Sequence, residues 1–360
     1  MMTNKIILVM PSHSNFATAI QKNLEFHNFE VKFINSSPEN IQKIKLSRWM
    51  NIYTLFRKLF LADFSYKDKA KDAIKQRIIA EEISKALQNN TFDYVLVIRP
   101  DLIDNQHLEL LKAGSNHHFI GYQWNGIERF PKTLLSVDLF DHFFVFDPED
   151  LSNPNYSSYK FQGCTNFYFD VYPPKPKLHT GTVAYFVGLH FDDRSQPIDH
   201  CAKALIEHGI TLDFNIKFRY GDQADAQTQY HTSEIKFISQ NIDYEDNLQH
   251  INQADILVDV VNPVHKGLSF RTFEALYYQK KLITNNAQIR NYDFYHPNNI
   301  LIWDGKNLDT LKDFLDSPYV AVDPQIREKY SFGNWIRYIL KKAPYQQIQL
   351  PLQQPSTPFT

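Results

Sequence analysis

Short apolar runs alternate with longer amphipathic stretches along this chain of 360 residues. In the first half, the runs with the length and apolar content of buried strands are 5–10, 31–35, 92–98, 119–123 and 142–146. Segments 16–27 and 67–88 have apolar residues at helical spacing. The side of 67–88 that we expect to be buried comprises Ala70, Ile74, Ile78, Ile83 and Leu87. Strands that alternate with helices predict a doubly wound α/β domain.

A second series of the same kind follows segment 171–182, which is rich in proline and lysine and predicts a linker. Its expected strands are 183–188, 212–218, 235–238, 255–261, 281–284 and 298–303. Its expected helices are 196–208, 268–279, 308–315 and 327–342. We therefore expect two domains, 1–172 and 183–326, a terminal helix over 327–342, and a flexible tail over 343–360 that is rich in glutamine and proline.

Composition narrows the class of protein. Apolar residues make up 43% of the chain and charged residues 22%, which is typical of a globular protein. The formal net charge of -2 gives no overall reason to expect a nucleic-acid partner. Cys164 and Cys201 are too few and too far apart for a zinc pattern or a disulfide framework, which favours the cytoplasm. The first apolar run is too short for a signal peptide, and no stretch approaches the ~20 apolar residues of a spanning helix.

Segment 41–62 combines cations with large apolar side chains and contains no acid. Its cations are Lys43, Lys45, Arg48, Arg57 and Lys58. A basic, aromatic helix of this kind can bind in the surface of an anionic membrane, here the inner membrane. The alternative is an ordinary helix whose apolar stripe covers the sheet, and the sequence leaves both interpretations open.

The strongest candidate site lies between Ile251 and Asn286, where a strand, a polar turn, a helix and a second strand predict a βαβ unit. Open α/β sheets bind their ligands at the carboxyl ends of the strands. The free N–H groups at a helix start favour an anion there, most simply a phosphate. Lys266 and Arg271 add positive charges, and an arginine can hold two phosphate oxygens at once.

The run GLSFRTFEALYYQKKLIT resembles the donor-binding segment of the GT-B glycosyltransferases. Its continuation, NAQIRNYDFYHPNNILIWD, resembles a subgroup that takes part in bacterial lipopolysaccharide and capsule biosynthesis. The resemblance implies two Rossmann-like doubly wound domains that face each other across a cleft, with the terminal helix bracing the first. It also implies that Glu274 binds the ribose hydroxyls of the donor. Lys266 replaces a second glutamate that many retaining members carry, so the retaining mechanism does not follow from the resemblance.

By the same resemblance, the second domain binds a nucleotide-sugar donor. The residues expected to bind it are Gly188, Arg194, His265, Lys266, Gly267, Leu268, Ser269, Arg271 and Glu274. Gly188 would let the backbone approach the diphosphate and Arg194 would bind phosphate, although a tight turn with a surface arginine is the alternative. GT-B members usually work without a metal, and the chain has no DxD pattern. We therefore expect no bound metal and no cofactor, since the nucleotide-sugar is a substrate.

Polar residues also follow the strands of the first domain. Arg99 and Asp101 would bind acceptor hydroxyls, or Asp101 would be the catalytic base, unless the two form a local ion pair. Trp124 would stack on a sugar of the acceptor beside Asn125. His13 is a second candidate base, because inverting GT-B members often take the base from this domain; a surface histidine is the alternative.

We expect a hexosyltransferase-like enzyme that moves a sugar from a nucleotide-sugar to a growing surface glycan or glycolipid of lipopolysaccharide, lipooligosaccharide or capsule. It would work in the cytoplasm, on the cytoplasmic face of the inner membrane. One alternative is a nucleotide-sugar epimerase on the same scaffold. Another is a non-catalytic protein that binds a sugar or nucleotide.

Overall fold

The computed structural model describes residues 3–12, 15–37, 46–218, 223–261 and 266–351. The chain divides into two compact units. The first comprises Met1–Phe144 and Tyr159–Gln162, and the second comprises Val145–Ser158 and Gly163–Thr360. The division falls at residues 144–163, ahead of the segment 171–182 that the sequence predicts as a linker.

Aromatic packing explains why residues after 163 belong to the second unit. Phe167 is buried, and its ring centroid lies 4.3 Å from that of Trp335. The backbone N–H of Tyr168 donates to the carbonyl of Tyr330 at 3.1 Å. Burial of large aromatic rings contributes strongly to a core, so this stretch is fixed to the carboxyl-terminal helices although it lies in the predicted first domain.

The first unit is built on a six-stranded sheet. Its strands are β1 (Asn4–Met10), β2 (Phe29–Asn35), β3 (Phe92–Ile98), β4 (Ser115–Gln123), β5 (His142–Val145) and β6 (Phe161–Gly163). Their order is β2-β1-β3-β4-β5-β6, and the first four of these pair in parallel. Its helices are α1 (Phe16–Phe26), α2 (Arg48–Phe60), α3 (Tyr66–Leu87) and α4 (Asn105–Ala113). The strand order reverses between β1 and β3, the position at which such sheets bind ligands.

The second unit has a six-stranded parallel sheet of order β12-β11-β10-β7-β8-β9. The strands are β7 (Val183–Leu189), β8 (Thr211–Lys217), β9 (Lys236–Ile238), β10 (Ile256–Asp259), β11 (Lys281–Thr284) and β12 (Ile300–Ile302). The helices are α5 (Pro148–Ser152), α6 (Asp192–Glu207), α7 (Gln223–Gln227), α8 (Tyr244–Gln253), α9 (Phe270–Tyr278), α10 (Leu311–Asp316), α11 (Pro324–Lys329) and α12 (Phe332–Ile339). Here the order reverses between β7 and β10.

Both cysteines are free thiols in the interior. Cys201 lies in the hydrophobic core between α6 and the second sheet, and burial raises its pKa to about 12. Burial also raises the pKa of Cys164 well above its ordinary value. A thiol that stays protonated is a poor nucleophile and a poor metal ligand, so both cysteines are core residues.

The carboxyl-terminal region differs from the sequence prediction in two ways. The single helix expected over 327–342 is two helices, α11 and α12, because Ser331 begins a new helix and its Oγ accepts the N–H of Asn334. The tail expected to be flexible is packed as far as it is described, to residue 351. Ile348 and Leu350 are buried, and Asn334 exchanges two hydrogen bonds with Gln346. These apolar residues give the segment something to bury, which its glutamine and proline content concealed.

Helix α2, Arg48–Phe60, lies within the predicted segment 41–62, which the structure describes from residue 46. None of its residues is buried, so its apolar stripe does not cover the sheet. Among the described residues, no helix is long and apolar enough to cross a bilayer.

Candidate functional site

The candidate donor site lies where β7 and β10 end side by side. Pairing between these strands stops at Leu257 and Tyr185, whereas β7 and β8 stay paired through Leu189 and Lys217. Strand β10 stays paired with β11 through Asp259, so only those carbonyls of β7 and β10 that face each other beyond Tyr185 and Leu257 lack a partner strand. A buried carbonyl must find another donor, so side chains are needed at this position.

Two arginines supply these donors. The carbonyls that Arg194 binds lie two residues further along each strand than those that Arg271 binds. Arg271 donates from Nη1 to the Val258 carbonyl at 3.0 Å and from Nη2 to the Val187 carbonyl at 2.8 Å. Arg194 makes the equivalent bonds further on, to the carbonyls of residues 260 and 189, at 2.9 and 3.0 Å. Each guanidinium thus joins the two strands across the switch point.

These bonds leave part of each guanidinium for other partners. An arginine has five N–H groups, of which two bind carbonyls here. The Nε atoms of Arg194 and Arg271 are buried without a partner among the described residues. Each arginine therefore keeps two terminal N–H groups. Burial lowers the pKa of Arg194, while the charges of Asp193 and Asp259 oppose that shift. Arg194 is therefore a partly buried residue that joins two strands, and not the simple surface arginine that the sequence left open as an alternative.

The turn before α9 is held by side chains from two other loops. The Asp147 carboxylate accepts the backbone N–H of Lys266 at 3.0 Å, and it also accepts the N–H of Gly267. Asn286 donates to the carbonyls of the same two residues, at 3.1 and 3.3 Å. These N–H groups belong to the stretch that the sequence assigns to a phosphate, but a carboxylate of the protein binds them here.

Gly267 is required in this turn for steric reasons. A Cβ at this position would lie 2.4 Å from the ring of Phe146 and 2.8 Å from its carbonyl oxygen. Asp147 follows Phe146 directly and also begins α5, where its other oxygen accepts the N–H of Glu149. Burial raises the pKa of Asp147, and its backbone hydrogen bonds from Lys266 and Glu149 lower it. Asp147 therefore caps α5 and also fixes a turn that is distant in sequence.

The start of α9 carries a second carboxylate. Ser269 is the residue before the helix, and its Oγ donates to Asp259 at 2.6 Å. The other oxygen of Asp259 lies 3.9 Å from Nη1 of Arg271. Leu268 points into the core, with 2% of its surface exposed, and its carbonyl accepts a hydrogen bond from Asn166. Ser269 and Leu268 therefore have structural partners that the sequence did not reveal.

Glu274 lies in the interior of the second unit. Its side chain is only 4% exposed and accepts the hydroxyl of Tyr244 at 2.8 Å. Burial raises the pKa of Glu274, and the charge of Arg271 lowers it. A carboxyl group with a raised pKa next to a cation is common at functional sites, although structural networks share this property. The ribose role of Glu274 stays a prediction.

On the first sheet, Arg99 and Asp101 form a local ion pair. Nε and Nη2 of Arg99 each donate to one oxygen of Asp101 at 2.7 Å. The guanidinium lies 3.6 Å from the ring centroid of Phe130, and Gln123 donates to Asp101 at 3.2 Å. The backbone of Arg99 has a φ of 64°, a strained value for a large residue and one that is frequent at functional sites. Both oxygens of Asp101 therefore accept hydrogen bonds within this network.

The remaining predicted residues are placed as follows. Trp124 and Asn125 are half-buried at the end of β4, and the Trp124 ring meets Phe16 edge-on with centroids 5.6 Å apart. Gly188 lies within β7, where the nearest atom to an added Cβ would be the ring of Phe186. His13 and His265 lie outside the described residues, so their roles stay predictions. No cluster of potential metal ligands occurs in the described part of the chain.

The chain was compared with protein families, curated proteins and solved structures. No family model and no curated protein matches the sequence. A solved trehalose-6-phosphate synthase aligns with 94% of this chain and 95% of its own, at 14% identity and a TM-score of 0.51. The chain has the GT-B fold. At this identity the likeness describes the fold alone, and it confirms the fold class predicted from the sequence.

Two further structures align at lower scores. An α,α-trehalose-phosphate synthase (UDP-forming) from Burkholderia vietnamiensis has 10% identity and a TM-score of 0.49, covering 94% of this chain and 96% of its own. The structure of MnaA with UDP from S. aureus has 12% identity and a TM-score of 0.48, covering 96% and 100%. These values are too low to support a conclusion about activity.

Some residues of the site were missed from the sequence. Asn285 binds both the N–H and the carbonyl of Val261, at 2.8 and 3.3 Å. The signal was available, because two asparagines follow β11 directly at its carboxyl end. Asp259 was also visible as an acid within an apolar run. Nothing local to Asn166 indicates its bond to the Leu268 carbonyl.

Proposed function

We propose that this protein is a glycosyltransferase that moves a sugar from a nucleotide-sugar donor to a growing surface glycan. The observation that carries this proposal is the pair of arginines, Arg194 and Arg271, at the switch point of the second sheet. Ligands of open α/β sheets bind at this position. Two guanidiniums place positive charge there, and each keeps N–H groups that can donate to phosphate oxygens.

The same arrangement suits the chemical step. When the glycosidic C–O bond breaks, the leaving diphosphate gains negative charge. Cations that are already fixed stabilise this charge without reorganisation. The carbonyls at the ends of β7 and β10 hold both arginines in place. We assign Lys266, in the turn before α9, as a third cation for the donor. We therefore propose that transfer proceeds without a metal, on the charge of these three residues.

The contacts of the turn before α9 refine how the donor would be held. The N–H groups of Lys266 and Gly267 bind Asp147, so we assign the diphosphate to the cationic side chains and not to these N–H groups. We assign the ribose hydroxyls to Glu274, whose carboxyl group accepts the hydroxyl of Tyr244 in the structure.

On the acceptor side, we assign binding of a glycan or glycolipid to Arg99, Trp124 and Asn125, at the carboxyl ends of β3 and β4. The acceptor would belong to lipopolysaccharide, lipooligosaccharide or capsule, and the enzyme would work on the cytoplasmic face of the inner membrane. If the reaction inverts configuration, Asp101 or His13 would be the base that takes the acceptor proton. No nucleic-acid partner is proposed.

Nucleotide binding gives the first test. Thermal unfolding of the full chain is measured with UDP, GDP or CMP. A nucleotide at a hundredfold excess over its Kd should add about 2.7 kcal/mol of stability. Donors that carry the stabilising base are then incubated with and without glycan acceptors, in the presence of EDTA. Transfer that EDTA does not slow is the expected result.

Three outcomes would contradict the proposal in different ways. If no nucleotide stabilises the chain, a donor site is excluded. If a nucleotide binds and no donor is consumed, the chain is a binding protein. If an epimer of the donor sugar accumulates without acceptor, the chain is an epimerase on the same scaffold.

A further inference from the structure

Helix α2 in the first unit exposes an apolar surface that is unusual for a globular protein. Trp49 is 79% exposed, Phe60 73% and Leu59 67%. The other large apolar residues exposed on α2 and directly after it are Ile52, Tyr53, Leu55, Phe56, Leu61 and Phe64. Scattered exposed apolar residues are normal, but a contiguous group of this size marks a surface that binds something.

The helix is amphipathic, and it packs with its more polar side inward. Its less exposed residues are Met50, Thr54 and Arg57, which share one helical face by their spacing of four and three. Arg57 binds Asp63 through Nε at 3.0 Å, and its guanidinium lies 5.0 Å from the ring centroid of Tyr66 at the start of α3. An ordinary surface helix turns its apolar stripe to the core, whereas α2 turns it to the solvent.

The charges of this region favour one kind of partner. The described residues from 46 to 62 include Arg48, Arg57 and Lys58 and no acid. The first acid, Asp63, is paired with Arg57 at 2.9 Å. A basic helix with aromatic and leucine residues on one face is the composition of helices that lie in a membrane surface. Two copies of the chain would bring these cations together, which disfavours self-association through this face.

We propose that α2 binds the surface of a bilayer that contains anionic phospholipids. Trp49, Phe56 and Phe60 enter the boundary between headgroups and acyl chains. Arg48 and Lys58 remain at the level of the phosphates, where long cationic side chains reach the polar layer while their stems stay in apolar surroundings. The polar side of α2 stays attached to the first unit through Arg57.

This binding also suits the proposed function, and that part of the inference rests on it. Helix α2 follows β2 in the chain, and the acceptor residues Arg99 and Trp124 follow β3 and β4 at the carboxyl edge of the same sheet. A lipid-linked acceptor in the bilayer could reach this edge. Vesicle binding is measured without donor or acceptor, so its failure would leave the transferase proposal standing, and loss of transferase activity would leave the membrane surface standing.

Tryptophan fluorescence can locate the contact in the full chain. The chain has four tryptophans, of which Trp303 and Trp335 are buried and Trp124 is half-buried. Trp49 is the one that α2 presents to the solvent. The probe is a vesicle of brominated phosphatidylcholine and phosphatidylglycerol, because bromine quenches only tryptophans that enter the acyl region. We expect quenching of the wild type and none in Trp49→Phe, which should still sediment with the vesicles.

Co-sedimentation gives the energetic test. The double variant Trp49→Ser/Phe60→Ser should bind vesicles about tenfold more weakly or worse, since it removes two large apolar side chains from the contact. Lys58→Ser should weaken binding about fivefold, and only when phosphatidylglycerol is present. The matched control is Leu135→Ser/Leu178→Ser, which removes two side chains that are 70% and 87% exposed elsewhere, and it should bind like the wild type.

Circular dichroism and thermal unfolding first establish that all variants are folded, as expected for exposed positions. Failure of the wild type to bind anionic vesicles would overturn the proposal. Equal binding by the double variant and its control would do so too. Dimerisation of the wild type that the double variant loses, without vesicle binding, would assign this face to a second copy and would also overturn it.

Discussion

At the scale of single residues, the two arginines at the ends of β7 and β10 meet a structural requirement, and we propose that they also bind the donor diphosphate. Their bonds to four backbone carbonyls replace the strand pairing that stops at Leu257 and Tyr185. The same bonds fix the direction of each guanidinium. Arg194 was predicted for its charge alone, because unpaired carbonyls at the end of a strand cannot be read from the sequence.

Substitution of Arg194 by lysine separates these two roles. The lysine side chain would keep the charge, but one ammonium group cannot bridge the carbonyls of Val260 and Leu189. We expect Arg194→Lys to lose about 1–3 kcal/mol of stability, measured by chemical denaturation, and to bind nucleotide more weakly. Arg290→Lys, at an exposed arginine, is the control and should change stability by less than about 0.5 kcal/mol. Unchanged stability in Arg194→Lys would show that the carbonyl bonds contribute little.

Substitution of Glu274 should lower nucleotide affinity without lowering stability, unlike the substitution of Arg194. The pKa of Glu274 is raised by burial, so the charged form costs stability that grows as the pH rises above the ordinary value of a glutamate. Glu274→Gln should therefore be at least as stable as the wild type near neutral pH, and its advantage should shrink in acid. Nucleotide affinity should fall about tenfold, because a neutral amide loses a charge-assisted hydrogen bond.

The measurements are denaturation at several pH values and nucleotide titration. Glu234→Gln, at an exposed glutamate, is the control. If Glu274→Gln loses stability and keeps its nucleotide affinity, the role of Glu274 is structural and it does not bind the donor.

At the scale of elements, local patterns predicted position well and orientation poorly. Strand β11 has the bounds predicted for it, Lys281–Thr284, because a buried parallel strand is a continuous apolar run. The buried side of α3 was predicted less well: Ile78 is 39% exposed, while Lys75 and Gln76 are buried. Gln76 is buried because it binds the Leu102 carbonyl and the Asp104 N–H. Helical periodicity cannot predict hydrogen bonds to residues that are distant in the sequence.

The contact between α8 and β8 should make the stability of the protein depend on pH. His250, near the end of α8, forms a short hydrogen bond to Asp213, and this bond raises the pKa of His250 although burial lowers it. The stabilisation is fully present below the ordinary pKa of histidine and is lost as the pH rises through the raised value. We expect the stability of the wild type relative to His250→Gln to fall as the pH rises from the ordinary pKa of histidine, about 6.5, through the raised value.

Chemical denaturation across this range measures the effect. His231→Gln, at an exposed histidine, is the matched control and should follow the wild type. A difference between wild type and His250→Gln that does not depend on pH would mean that the bond to Asp213 is not charge-assisted.

At the scale of the whole molecule, each unit carries its candidate residues near the carboxyl ends of its own strands. The candidate donor residues belong to the second unit, and Arg99, Asp101 and Trp124 belong to the first. A nucleoside diphosphate that stabilises the protein should therefore slow amide hydrogen exchange at the ends of β7 and β10 and at the start of α9. It should leave exchange in β3 and β4 unchanged. Protection confined to the first unit would move the donor site there.

The sequence by itself located eleven of the described strands, all except β6, and the helices α1, α3, α6, α9 and α10, but not α4 or α8. It also indicated that polar and cationic residues follow the strands at the carboxyl edge. These are local properties, because apolar periodicity and strand length depend on near neighbours. The tertiary structure decided which groups are already bound. Asp147, which lies 119 residues before Lys266, accepts the backbone N–H of Lys266. The end of pairing between β7 and β10 leaves the carbonyls that the two arginines bind. Likewise, periodicity showed that α2 is amphipathic, but only packing against the first unit decided that its apolar face meets the solvent.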